Sequence, residues 1–325
     1  MADTGASVAP AAPVSWRWAS FVRGAVYALP AMVVGCVWPL LGIALAVGVI
    51  PVAALPLPAR RRRRGVLPLV GLLSAASLLL GSLLSPHPAV AVAAMFVLGV
   101  GAGLWARAAP TGRAAMTFCL PLIGIGLSFD PAPAAVAAAL IVGGSVYAGL
   151  VSLLWPQGER PAAPAAPTPD RARLLVYAFV LGAVGATAAG LGFALHLEHV
   201  GWVTGAALLV MRPAREQLLT RSVGRAISVS IGALAAALLG SVPAPPALTA
   251  LAAGVAVAAL AASAGSRWYV APAFTTFVVL TLILALPGED PARRLVERVV
   301  ETGIGIGIAL VLGALVPAVA GRRRA

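Results

Sequence analysis

The 325-residue chain contains no lysine; all 23 of its basic residues are arginines. With lysine absent there is no Gly-rich loop ending in Lys-Ser/Thr to cradle nucleotide phosphates, so ATP-driven work by this chain is not expected. Acidic residues number only 10, and charged residues of both signs make up 10% of the chain. A soluble domain carries roughly a quarter charged residues, so a soluble domain is excluded. The net charge of +13 invites nucleic acid as a partner, but a basic recognition face needs a soluble domain to carry it, and nucleic acid is therefore excluded too. The two cysteines, Cys36 and Cys119, lie in apolar surroundings without a CxxC pair and read as inert buried thiols. Of three histidines, His196 and His199 flank Glu198, but that spacing lacks a further ligand elsewhere, so no metal is expected. No serine, cysteine or aspartate comes with a partnering base, and no cofactor motif occurs; an enzyme is not expected. The first fifteen residues lack the charged start and cleavage pattern of a secretory signal and read as a disordered tail.

Apolar residues are abundant instead: 61% of the chain, with a mean hydropathy of +0.99. Crossing ~30 Å of hydrocarbon takes about 20 apolar residues, and roughly twelve such runs can be counted. They cover approximately 17–35, 37–57, 65–84, 88–106, 113–129, 133–155, 172–195, 199–212, 222–241, 246–264, 268–286 and 295–317. Only helices satisfy the backbone of so many lipid-exposed segments, so the expected fold is all-α, a polytopic membrane protein. With the N-terminus placed inside, every arginine except Arg293, Arg294 and Arg298 falls on the cytoplasmic side. That bias predicts a multi-pass protein of the cytoplasmic membrane with both termini in the cytoplasm.

The spacing also predicts an internal repeat. Arg60, Arg64 and Gly71 align with Arg221, Arg225 and Gly232 at one offset; Pro88 and Thr117 pair with Pro246 and Thr275, and Asp130-Pro131 with Asp290-Pro291. Six helices per unit is an even number, so the two units run parallel, about an axis along the membrane normal. The expected division is a tail over 1–15, a first membrane repeat over 16–156, a Pro/Ala-rich linker over 157–171, a second repeat over 172–320 and an Arg-rich tail over 321–325.

Polar groups concentrate in the second repeat. On the last apolar run, Arg294, Glu297, Arg298 and Glu301 share one helical face, and Gly303 and Gly307 form a GxxxG that would let another helix approach closely. Such a stripe faces a bundle interior or a water-filled pathway, or else pairs with itself at the interface. The corresponding first-repeat positions are Ala138 and Ile141, so this chemistry is not duplicated. Arg64 and Arg225 do recur, entering Gly-containing helices; they would form a positive vestibule that concentrates carboxylates, or serve as positive-inside anchors. Trp202 begins a run too short for a full crossing, where broken helix ends line cavities. It reads equally as an interfacial belt residue, and Thr204 equally as helix-packing glue.

The stretch from His199 to Gly232, HVGWVTGAALLVMRPAREQLLTRSVGRAISVSIG, resembles the fusaric-acid-resistance-like and aromatic acid exporter families. Trp202, Thr204, Pro213, Arg221, Arg225 and Gly232 fill that family's pattern, with a departure at Ser228-Val229, where Gly-Thr is usual; Arg298, Thr302 and Gly303 match a second block. Family members often carry a cytosolic domain after the membrane unit, and this chain is expected to have none. The resemblance implies an inner-membrane permease that exports small organic anions, with aromatic carboxylic acids as the expected class. On that reading Arg225 and Arg64 attract the carboxylate, Trp202, Thr204 and Thr302 line its path, and Arg298 holds it near the outer exit. Glu297 and Glu301 are the candidates for proton coupling, and Gly232, Gly303 and Gly307 for helix packing. The expected partners are the lipid bilayer and the anion, with self-association left open. An uncoupled anion channel and a non-transporting membrane scaffold are the alternatives.

Overall fold

A computed structural model describes residues 15–108, 112, 115–157, 171–212, 215–264, 266 and 269–314. Every regular element among them is helical. In chain order they are α1 (Trp18–Gly35), α2 (Pro39–Ala53), a 3-10 turn (Arg61–Arg63), α3 (Val66–Leu84), α4 (Pro88–Ala108), a π turn (Ala115–Cys119) and α5 (Leu120–Gly126). The chain continues with α6 (Pro131–Leu154), α7 (Arg171–Ala194), α8 (Val200–Val210), α9 (Arg215–Ser241), α10 (Pro246–Ala262), α11 (Ala271–Leu284) and α12 (Pro291–Gly313). Proline opens α2, α4, α6, α10 and α12, where its fixed φ suits the first turn and its missing N–H has no helical partner to lose. At α12 the Asp290 side chain accepts from the backbone N–H groups of Ala292 and Arg293, at 2.7 and 3.0 Å, and so fixes where the charged helix begins.

Among the described residues, six helical segments are long and apolar enough to cross a membrane: 18–35, 61–84, 88–106, 131–154, 175–194 and 215–241. The chain is therefore a multi-pass membrane protein. The other helices do not meet that description. Pro39–Ala53, Val200–Val210, Pro246–Ala262 and Ala271–Leu284 are shorter, α5 has 7 residues, and α12 carries two glutamates and three arginines. The 11 residues of α8 span only ~16 Å, about half the hydrocarbon thickness.

Lipid solvates large apolar side chains as well as a protein core does, so helix association relies on close contact between small residues. The outward face of α9 shows Ile227, Ile231, Leu234 and Leu238, whereas its buried face carries Ser222, Ser228, Gly232, Ala233 and Ala236. A Cβ on Gly99 would lie 2.6 Å from the Cα of Gly182, and one on Gly103 2.6 Å from that of Ala178, which seats α4 directly on α7. Gly24 against Ala258 and Ala261, and Gly35 against Ala250, do the same for α1 on α10. The helix pairs recur in order: α1 on α2 and α7 on α8, α3 on α6 and α9 on α12, α2 on α6 and α8 on α12. The most extensive contacts are crossed ones, α4 on α7 and α10 on α1.

Candidate functional site

The second half gathers polar side chains around the start of α8. His199 precedes the helix, and its ring stacks on Trp202 with centroids 3.9 Å apart and planes within 10°. Trp202 is buried against Ala233 and Ala236 of α9 and Leu280 of α11. The Arg298 guanidinium carbon lies 4.5 Å from the Trp202 ring centroid, a cation–π distance, and one of its nitrogens donates to the Thr276 hydroxyl at 3.5 Å. Among the described residues, Arg298 has no carboxylate within ion-pair distance.

Arg225, on α9, is only 7% exposed, and its Nε has no protein partner. Its charge acts on Arg298. Ten residues into α9 and seven into α12 place the two α-carbons ~15 and ~10 Å along the axis from their helix starts. Beside them Glu301 is 3% exposed; one carboxylate oxygen has no partner, and the backbone N–H of His199 faces the group. The hydroxyls of Ser222, Ser228, Thr281 and Thr302, on the mutually packed helices α9, α11 and α12, also lack protein partners. Buried polar groups are nearly always paired, because leaving one unpaired costs about 1–3 kcal/mol. This concentration marks α9, α11 and α12 as a polar interior within an apolar protein.

Several sequence expectations take another form. Arg64 does not mirror Arg225. It is 1% exposed and fully engaged: Nε donates to the Pro58 carbonyl at 3.2 Å, Nη2 to Pro156 at 2.8 Å, and Nη1 to Trp155 at 2.8 Å and to Ser152. It therefore caps the C-terminal end of α6, whose last carbonyls have no helical partners. The Thr204 hydroxyl donates to Val200 of its own helix at 3.0 Å, and its methyl group packs on Gly124 of α5, a packing role. Gly303 and Gly307 meet no neighbour, since a Cβ on either would enter open space. The close approach falls between them at Gly305, where a Cβ would sit 2.4 Å from the Val203 carbonyl of α8; Gly232 plays the same part against Ala273. Thr276 and the stacking of His199 on Trp202 were not read from the sequence, because both depend on helices brought together only by folding.

Glu297 is separated from Glu301 by its partners as well as by a turn. It pairs with Arg293 at 2.8 Å and Arg294 at 2.7 Å, in a network that also ties Arg293 to Glu198 at 2.8 Å and Arg294 to Glu198 at 2.6 Å and to Glu289. The Arg294 hydrogen bonds hold the carboxyls of Glu198 and Glu289, in the α7–α8 and α11–α12 loops, below the usual carboxylate range. Since Glu198 immediately precedes His199, the network closes over the start of α8 at the end of the bundle where α12 begins.

The arrangement defines a polytopic helical membrane protein with a buried cationic site in its second half. Residues 186–312 match the family described as fusaric acid resistance protein-like, and that segment contains the whole site. The relationship suggests a membrane transport or resistance function. No curated protein and no solved structure matches the chain.

Proposed function

We propose that this protein is a permease of the cytoplasmic membrane, not an enzyme, that exports small organic anions, with aromatic carboxylates as the expected class. The observation that carries this reading is the neighbouring pair of guanidiniums, buried Arg225 and half-buried Arg298, neither ion-paired to a carboxylate among the described residues and one lying over Trp202. Two like charges in a poorly solvated interior repel, and a shared carboxylate relieves both with charge-assisted hydrogen bonds. An aromatic ring on that carboxylate would lie against Trp202 in an offset or edge-on arrangement. Glu301, buried beside Arg298, takes up a proton as the anion arrives and releases it as the anion leaves, which would couple flux to a pH gradient. The Arg293–Arg294–glutamate network is the outer gate above the site.

The parallel two-repeat arrangement belongs to this reading. It is supported by the sequence offsets, by the recurring helix pairs and by the crossed seating of α4 on α7 and α10 on α1. The arginine bias supports cytoplasmic termini. In such a transporter the first half serves chiefly as scaffold, because Arg64 is occupied by carbonyls.

The test is flux in proteoliposomes: purified protein, a panel of aromatic and aliphatic carboxylates, with and without an imposed pH gradient. Saturable movement that requires the gradient supports the coupled carrier; saturable movement without it indicates a channel. No movement of any carboxylate by folded protein refutes transport and favours a membrane scaffold.

A further inference from the structure

A second cationic feature lies at the other end of the bundle. The start of α1, the loop before the 3-10 turn, the end of α6 and the end of α10 surround a pocket of about 310 Å³ lined by Arg17, Ser20, Arg23, Arg64, Trp155 and Ala261, among others. Among the described residues, none that lines it is acidic. The Arg64 guanidinium is held rigidly by four carbonyls, so it contributes fixed charge rather than free N–H groups. The Arg23 guanidinium lies 5.9 Å from the Tyr27 ring centroid, while Arg17 is exposed at the rim. Pro56, Pro58 and Pro156 form part of the wall. Their restricted φ angles keep its shape fixed without a ligand.

The surroundings indicate which anion meets this pocket. Trp16, Trp18 and Phe21 cluster at the start of α1 with ring centroids 5.6–5.7 Å apart, and Trp18 is 70% exposed. Exposed tryptophans at a helix end sit at headgroup depth in a bilayer. The neighbouring arginines Arg60 to Arg63 are also exposed and add to the local positive potential. A pocket of this volume matches the lower end of small-ligand sites and takes one phosphate group with the glycerol beside it.

We propose that this pocket binds a phosphate ester, as carried by the headgroup of an anionic phospholipid, and that the bound lipid clamps α1 to α10. The site is independent of the anion path through Arg225 and Arg298. The test is thermal unfolding of the full-length protein in detergent, titrated separately with phosphatidylglycerol, phosphatidylcholine and inorganic phosphate. Arg17→Gln and Arg23→Gln are run alongside, and lipid retention is read by native mass spectrometry. The expected result is a saturable rise in melting temperature with phosphatidylglycerol and none with phosphatidylcholine. Each substitution should weaken phosphatidylglycerol binding by about fivefold. If inorganic phosphate alone gives the rise and the variants abolish it, the chemistry stands and the source is a soluble phosphate. Equal stabilisation by both lipids overturns the proposal. So does a phosphatidylglycerol effect unchanged in Arg17→Gln, a substitution at an exposed rim position that leaves packing intact.

Discussion

Replacing Arg298 with glutamine separates a binding role from a structural one, because the two predict stability changes of opposite sign. In the unliganded protein Arg298 contributes a cation–π contact with Trp202 and a 3.5 Å hydrogen bond to Thr276. The first is worth about 1–2 kcal/mol when desolvated, and the second is at the outer limit of hydrogen-bond length and adds little. Against them stand the desolvation of a half-buried cation, several kcal/mol even after relaxation, and repulsion from Arg225, which outweighs the attraction of Glu301. Arg298→Gln should therefore leave the melting temperature of the anion-free protein unchanged or raise it. A carboxylate bound by both arginines loses at least one charge-assisted hydrogen bond pair in the variant, about 3–4 kcal/mol, or a drop of roughly 150–1,000-fold in affinity. The assay is thermal unfolding with and without an aromatic carboxylate, paired with proteoliposome flux. The refuting result is a variant that is clearly destabilised without ligand yet still gains the wild-type increment when the anion is added. Arg298 would then be a packing residue, and the anion site would lie elsewhere.

Other perturbations discriminate between neighbouring residues. Arg64→Gln leaves several carbonyls at the end of α6 without a donor and should destabilise the protein by about 2–4 kcal/mol in denaturant unfolding. Anion affinity should not change; a loss of affinity at unchanged stability would restore Arg64 to the pathway. Gly305→Ala puts a Cβ 2.4 Å from the Val203 carbonyl and should cost at least about 2 kcal/mol, whereas Gly303→Ala enters open space and should be neutral or slightly stabilising through helix propensity. Equal effects of the two in thermal unfolding would show that α12 is packed in another phase. The network around Arg294 gives a pH dependence of fixed sign. Glu198 and Glu289 have depressed folded-state values, so their contribution is fully present above the unfolded carboxylate range near 4.3. It disappears as pH falls through the lower folded values. Melting temperature should be flat in this respect from pH 7 to about 5 and fall below about 4, and Arg294→Gln should remove most of that acid limb.

Much of this protein follows from the sequence alone. A chain with 61% apolar and 10% charged residues has no folded option in water, and lipid leaves helices as the way to pair its backbone. The family blocks were legible for the same reason: Trp202, Arg225, Arg298 and Glu301 stand out where polar groups are costly, and costly groups are few. What spacing conveys is periodicity along one helix, and it cannot report which neighbour a face meets. Arg64 and Arg225 occupy equivalent places in the two sequence offsets, yet one is enclosed by the carbonyls ending α6 and the other leaves its buried Nε without a partner among the described residues. Glu297 and Glu301 lie one turn apart on the same stripe, but the Glu198 carboxylate pairs with the arginines that hold the first. The GxxxG of Gly303 and Gly307 faces outward because burial of Glu301, Thr302 and Gly305 fixes the rotation of α12. Sequence determined the solvent, the secondary structure and the candidate charges. Tertiary structure decided which of those charges were left with no partner inside the protein, since a partner contributed by another helix exists only once the helices have packed.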